Sequence, residues 1–162
     1  MNKNIASAFE NKKAFIGFVT AGDPDLDTSR QILLEMAKNG CDLIEVGIPF
    51  SDPIAEGPVI QEANIRALAQ GVTTDKVFDL VAEVSAQMDI PLVFMTYLNV
   101  LFRYGYDRFC RRAADSGISG VIVPDLPYEE KHELSDIAKK YGIAVISLVC
   151  LLYTSPSPRD TR

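Results

Sequence analysis

The chain has 162 residues, 48% of them apolar, with a formal charge of -6 and a sequence pI near 4.8. That length and apolar share suit one domain with a sizeable core, and the acidic balance leaves no basic face to displace phosphate counterions, which sets nucleic-acid binding aside. No apolar run approaches the ~20 residues that span a bilayer, and the opening MNKNIASAFENKK lacks the apolar core and cleavage site of a secretory signal, so a cytoplasmic chain without membrane contact is expected.

Ile5, Ala8 and Phe9 recur at helical spacing, which predicts a short helix over 4–11, a lid or plug ahead of the main fold. The apolar run 14–20 reads as a strand stopped by Ala21-Gly22-Asp23-Pro24. A helix follows, with Asp25 or Asp27 able to cap it, Ile32, Leu33, Met36 and Ala37 as its stripe, and Asn39-Gly40 as its stop. A second strand covers 42–46, then a helix runs from near Pro58 through Ile60, Ala63, Asn64 and Leu68 to Gly71. The next helix, capped by Thr73 or Thr74, carries Val77, Leu80, Val81 and Val84 at i, i+3, i+4 and i+7. Strands over 92–97, 120–123 and 143–149 alternate with helices over 106–116 and 129–140. Repeated β/α units of roughly 25 to 30 residues imply parallel strands with covering helices.

Cys41, Cys110 and Cys150 are odd in number and far apart, the pattern of buried reduced thiols rather than of a disulfide framework or a zinc centre. His132, the single histidine, falls off its helix stripe and reads as a solvated residue, so histidine triads and multi-histidine metal sites are out.

The second unit is longer than the others by about 20 residues, and the surplus follows its strand, where alternating β/α folds place catalytic loops. Two acids coincide with it. On the strand, Leu43, Glu45 and Gly47 share one face and Ile44 and Val46 the other. Glu45 therefore lies among apolar groups, where desolvation raises a carboxyl toward the range in which it can both give and take a proton. Glu56 sits in the loop among Pro49, Pro53, Gly57 and Pro58. The pair suggests proton-transfer chemistry. The plainer alternatives are a buried acid paired with a cation for Glu45 and a solvated loop acid for Glu56.

Five stretches, GFVTAGDP at 17–24, LIEVGIPFSDPIAEGP at 43–58 with the QEANIRALAQGVT that follows, MTYLNVLFRYG at 95–105 and VIVPDLP at 121–127, resemble the tryptophan synthase alpha-chain family. The resemblance runs colinearly to about residue 149. It implies an α/β fold, the eight-stranded (β/α) TIM barrel, here limited to about its first five β/α units. The implied reaction is a lyase step, retro-aldol cleavage of indole-3-glycerol phosphate to indole and glyceraldehyde 3-phosphate in tryptophan biosynthesis.

By the same resemblance Glu45 matches the general acid/base, and Glu56 falls where most members carry Asp to steady charge on the indole nitrogen. Phe18, Met95 and Tyr97 match substrate-binding positions that line the indole pocket, and Asp125 matches a supporting acid near the loop. Pro49 and Asp52 match the part that faces the beta chain in an alpha2-beta2 complex. The family's alpha chain carries no metal or organic cofactor; pyridoxal phosphate belongs to the partner. Phe18, Met95 and Tyr97 could equally be core residues, and Asp125 could cap the helix after it.

Five strands do not close an eight-stranded barrel, and the part not found here would hold strands six to eight, whose loops build the phosphate site in such barrels. The expected domains are therefore a partial barrel over 1–149 and an unrelated tail over 150–162, whose CLLYTSPSPRDTR has a disordered composition. The expected origin is a coding sequence truncated near Val149. The competing expectation is an inactive fragment that at most binds a beta-chain partner, and a weaker one is a different phosphosugar lyase on the same barrel.

Overall fold

The computed structural model describes residues 3–148. Five strands, β1 (Ile16–Thr20), β2 (Leu43–Gly47), β3 (Leu92–Met95), β4 (Ile118–Ile122) and β5 (Ala144–Ile146), form one sheet in the order 1-2-3-4-5, every pair parallel. Helices α1 (Leu26–Lys38), α2 (Pro58–Ala69), α3 (Thr74–Ser85), α4 (Leu98–Tyr104), α5 (Tyr106–Asp115) and α6 (Lys131–Lys140) fill the crossovers. Consecutive parallel neighbours joined through helices are the rolling pattern of a (β/α) barrel.

Strand alternation sorts the core into two layers. Ile44, Val46, Leu92, Phe94 and Val121 face the helices and join Leu33, Phe78, Val81, Phe109 and Leu134 in the larger cluster. Its centre is aromatic: Phe78 meets Phe94 and Phe109 edge-on with ring centroids 5.3 and 5.2 Å apart, a geometry that adds about 0.5 to 1.5 kcal/mol per pair beyond area burial. The other face carries Leu43, Val93 and Ile122 with Ala8. In a barrel that concave face is the lumen.

The plug predicted over 4–11 is a 3-10 turn at Ile5–Phe9, capped by the Asn4 side chain, which accepts from the Ala6 N–H. Ala8 and Ile5 pack on the lumen residues while Phe9 stays 51% exposed. Room for Ile5 comes from Gly120, where an added Cβ would lie 2.9 Å from Ile5 Cδ1 and 3.0 Å from the Ala144 carbonyl oxygen.

The expected caps resolve to Asp25, whose carboxylate accepts from the Thr28 N–H at 2.7 Å, and Thr73, whose hydroxyl accepts from Lys76 N–H at 3.3 Å. Several bounds differ from expectation: β1 starts at Ile16 rather than 14, β5 is confined to Ala144–Ile146 of the expected 143–149, and a 3-10 turn at Tyr128–Glu130 precedes α6. Strand β4 begins at Ile118 rather than 120, and β3 ends at Met95 because the chain turns at Tyr97 into α4, which the sequence pattern did not reveal. Among the described residues no helix is long and apolar enough to cross a membrane. The segment 150–162 lies outside the described residues.

Candidate active site

Glu45 lies at the middle of β2, with Phe18 of β1 and Val93 of β3 as its paired neighbours. All three sit on the lumen face, where Glu45 is half-buried. Among the described residues no hydrogen bond or ion pair reaches its carboxyl, and burial alone pushes its pKa above the usual carboxylate value. A structural acid held by a cation would shift the other way. Two residues further along, Gly47 leaves space for Phe18: a Cβ there would come within 2.7 Å of the ring's Cζ. Met95 pairs with Gly47 and is half-buried against the lumen cluster.

The rim above is built by the long loop. Ala55 N–H donates to the Tyr97 hydroxyl at 3.1 Å, and Phe50 packs on the Tyr97 ring at 5.3 Å between centroids. Tyr97 is 3% exposed; burial raises its pKa, and the charges of Glu56 and Asp125 push it the same way. The charge of both carboxylates is thus felt at Tyr97. Asp125 accepts from the Leu98 N–H at 2.8 Å, so it caps α4 in the preceding unit and not the helix after it, and its carboxylate joins the ends of β3 and β4. Glu56 accepts through Oε2 from Asn64 Nδ2 at 2.7 Å, and its backbone carbonyl accepts from Gln61 Nε2 at 2.8 Å.

Thus Phe18, Glu45 and Met95 are gathered on the lumen wall, and Tyr97, Glu56 and Asp125 on the rim. Among the described residues no hydrogen bond joins the two glutamates. Pro49 is buried, while Asp52 is exposed and bonded to the neighbouring Ser51 hydroxyl.

Sequence reasoning did not single out Asn64 or the Asp23–Arg66 pair. Arg66 grips Asp23 with two bonds, Nε to Oδ1 at 2.7 Å and Nη2 to Oδ2 at 2.9 Å, tying α2 to the end of β1 and holding the Asp23 carboxyl below its ordinary pKa. Asn64 did carry a signal: it is an amide on a stripe otherwise apolar, and it is 4% exposed. Beside this clasp lies an open cavity of about 310 Å³, lined by Phe18, Thr20, Asp23, Ile32, Ala63 and Arg66 among others, with Val19 as well. Phe18 and Val19 point to opposite faces of β1, so the cavity wraps the strand's unpaired edge and is a notch in the sheet rather than an enclosed substrate pocket. No group of three metal-binding side chains occurs among the described residues.

A sequence model of the family described as "Tryptophan synthase alpha chain" matches residues 5–159. The alpha chain of Lacticaseibacillus casei is 50% identical over 145 residues, covering 90% of this chain and 54% of that relative, and the alpha chain of Petrotoga mobilis is 50% identical with 90% and 56% covered. Among solved structures, tryptophan synthase subunit alpha from Legionella pneumophila str. Paris superimposes with a TM-score of 0.85 at 39% identity, covering 90% of this chain and 57% of that one. A tryptophan synthase complex from Pyrococcus furiosus gives 0.78 at 40% identity, covering 82% and 54%. The chain spans a little over half the length of these relatives.

Proposed function

This chain belongs to the tryptophan synthase alpha-chain family, and on that footing we propose that its barrel cleaves indole-3-glycerol phosphate to indole and glyceraldehyde 3-phosphate, a step of tryptophan biosynthesis. The observation that carries the reading is Glu45: half-buried on the lumen wall beside Phe18, with no cation on its carboxyl among the described residues, its pKa raised by burial. A carboxyl in that state can do both halves of the proton work. It protonates indole C3, which weakens the bond from C3 to the first glycerol carbon and puts positive charge on the ring nitrogen. As that bond breaks, its electrons return to the ring and the hydroxyl on the departing carbon loses its proton, making the aldehyde. One proton enters at C3 and one leaves the hydroxyl, so the reaction needs no outside acid.

Glu56 serves as the fixed negative charge opposite the indole N–H, electrostatic help that needs no reorganisation during the reaction. Phe18, Met95 and Tyr97 supply apolar walls, and Asp125 supports the rim by capping α4. Exposed Asp52 together with Ile54, which is 78% exposed, offers a landing surface for a beta-chain partner beside buried Pro49.

The test is indole release from indole-3-glycerol phosphate. The chain joined to the last three β/α units of a close relative should release indole, whereas the 162-residue chain, without those units' phosphate-site loops, should release little. Glu45→Gln in the joined chain should cost roughly 10²- to 10⁴-fold, the usual share of a general acid/base. A glutamine variant that keeps its rate would remove Glu45 from the mechanism.

A further inference from the structure

We propose that Asn64 is a positioning residue that presets the Glu56 carboxylate for the reaction, an inference that rests on the role given to Glu56 above. A glutamate on a loop spreads over many rotamers, and a charge aimed at a developing cation is effective only if it is already in place. Glu56 stands immediately before α2, yet it does not cap that helix: the N-cap is Gly57, with no side-chain bond. Its Oε2 is instead held by the Asn64 amide from the helix's second turn, at 2.7 Å.

Asn64 itself is fixed. It is 4% exposed on the inner stripe of α2 between buried Ala63 and Ala67, and two residues on, Arg66 anchors the same helix to Asp23. A buried amide without a partner is costly, so the packing of α2 favours the one loop conformation that delivers the carboxylate to Asn64. A second pin, from Ala55 N–H to the Tyr97 hydroxyl, holds the loop one residue earlier. An ionised carboxylate has roughly four acceptor sites. With Oε2 engaged by Asn64, Oε1 is left to accept the indole N–H.

Two measurements test this. In the 162-residue chain, amide hydrogen exchange across 54–57 should speed up in Asn64→Ala and in the isosteric Asn64→Asp, which sets two carboxylates against each other. Adding Glu56→Gln to Asn64→Asp should restore the slow exchange, because the glutamine amide can donate to the new aspartate. In the chain joined to a relative's last three units, Asn64→Asp should lower kcat roughly 10- to 100-fold with KM nearly unchanged, the loss expected for a hydrogen bond to a charged group felt in the transition state. The paired variant should turn over no faster than Glu56→Gln alone.

Unchanged exchange in both single variants would overturn the hold of Asn64 on the loop, and an unchanged kcat in Asn64→Asp would overturn its role in turnover. Failure of the unsubstituted joined chain to release indole would instead overturn the functional reading, whatever the exchange shows.

Discussion

Glu45 couples the proposed chemistry to stability through one quantity, the raised pKa that burial imposes on it. In the folded chain the carboxyl keeps its proton to a higher pH than in the unfolded chain, so over that window the native state binds more protons and stability falls as pH rises. Glu45→Gln removes the titrating group, and the variant's urea midpoint should decline less than the parent's as pH rises above about 4.3, the ordinary glutamate value. Equal slopes would mean that Glu45 is solvated. The alternation in LIEVG already placed Glu45 on an apolar face, because a strand's two-residue period depends only on local backbone geometry. The surroundings of Glu56 were legible only in part: its bond to Asn64 spans eight positions and the amide on an apolar stripe was the signal, whereas Ala55 meets Tyr97 across 42 positions and Arg66 meets Asp23 across 43, and no local pattern encodes a meeting made by the fold.

At the scale of elements, the helix starts at Asp25 and Thr73 could be read from their capping side chains, and that of α2 from Pro58, whereas the start of α4 could not. Asp25 and Thr73 stand just before apolar-periodic runs, and both cap in the structure. Helix α4 has neither signal: its N-cap is Tyr97 with no side-chain bond, its acidic partner Asp125 lies 27 positions away, and of its seven residues only Leu101 is buried. The two caps differ in quality. Asp25 accepts from both the N–H and the hydroxyl of Thr28, at 2.7 and 2.9 Å, while Thr73 makes one bond of 3.3 Å. Asp25→Ala should therefore lower the urea midpoint clearly more than Thr73→Ala does, the latter costing about 0.5 kcal/mol. The 3-10 plug offers a harsher case. Gly120→Val would drive a branched side chain into Ile5 and the Ala144 carbonyl; since the carbonyl belongs to a paired strand, only the plug can yield, and the expected loss is about 1 to 3 kcal/mol, with faster exchange across 5–9.

The whole molecule is a parallel sheet whose two faces are unequally covered. Helices seal one face with a large aromatic and aliphatic cluster, whereas among the described residues the lumen face holds only Ala8, Leu43, Val93 and Ile122 as a buried apolar cluster, and leaves Phe18, Met95 and Ile146 half-buried. Parallel sheets are ordinarily buried on both faces, and among the described residues β1 and β5 each pair on one side only. Around β1 the apolar side chains Phe9, Phe15 and Ile16 are 51%, 61% and 40% exposed. Three further β/α units would pair both edges and cover the lumen at once, which is how the family's barrel closes. The 162-residue chain should accordingly bind a dye such as ANS through this face, and joining it to a relative's last three units should abolish that binding. The same closure buries apolar surface belonging to the present chain as well as to the added units. Because the urea m-value tracks the surface exposed on unfolding, it should rise by more than the added length alone would give. An m-value that merely keeps pace with length, together with no ANS signal from the shorter chain, would mean that its open face is already covered, and gel filtration would then show an associated species.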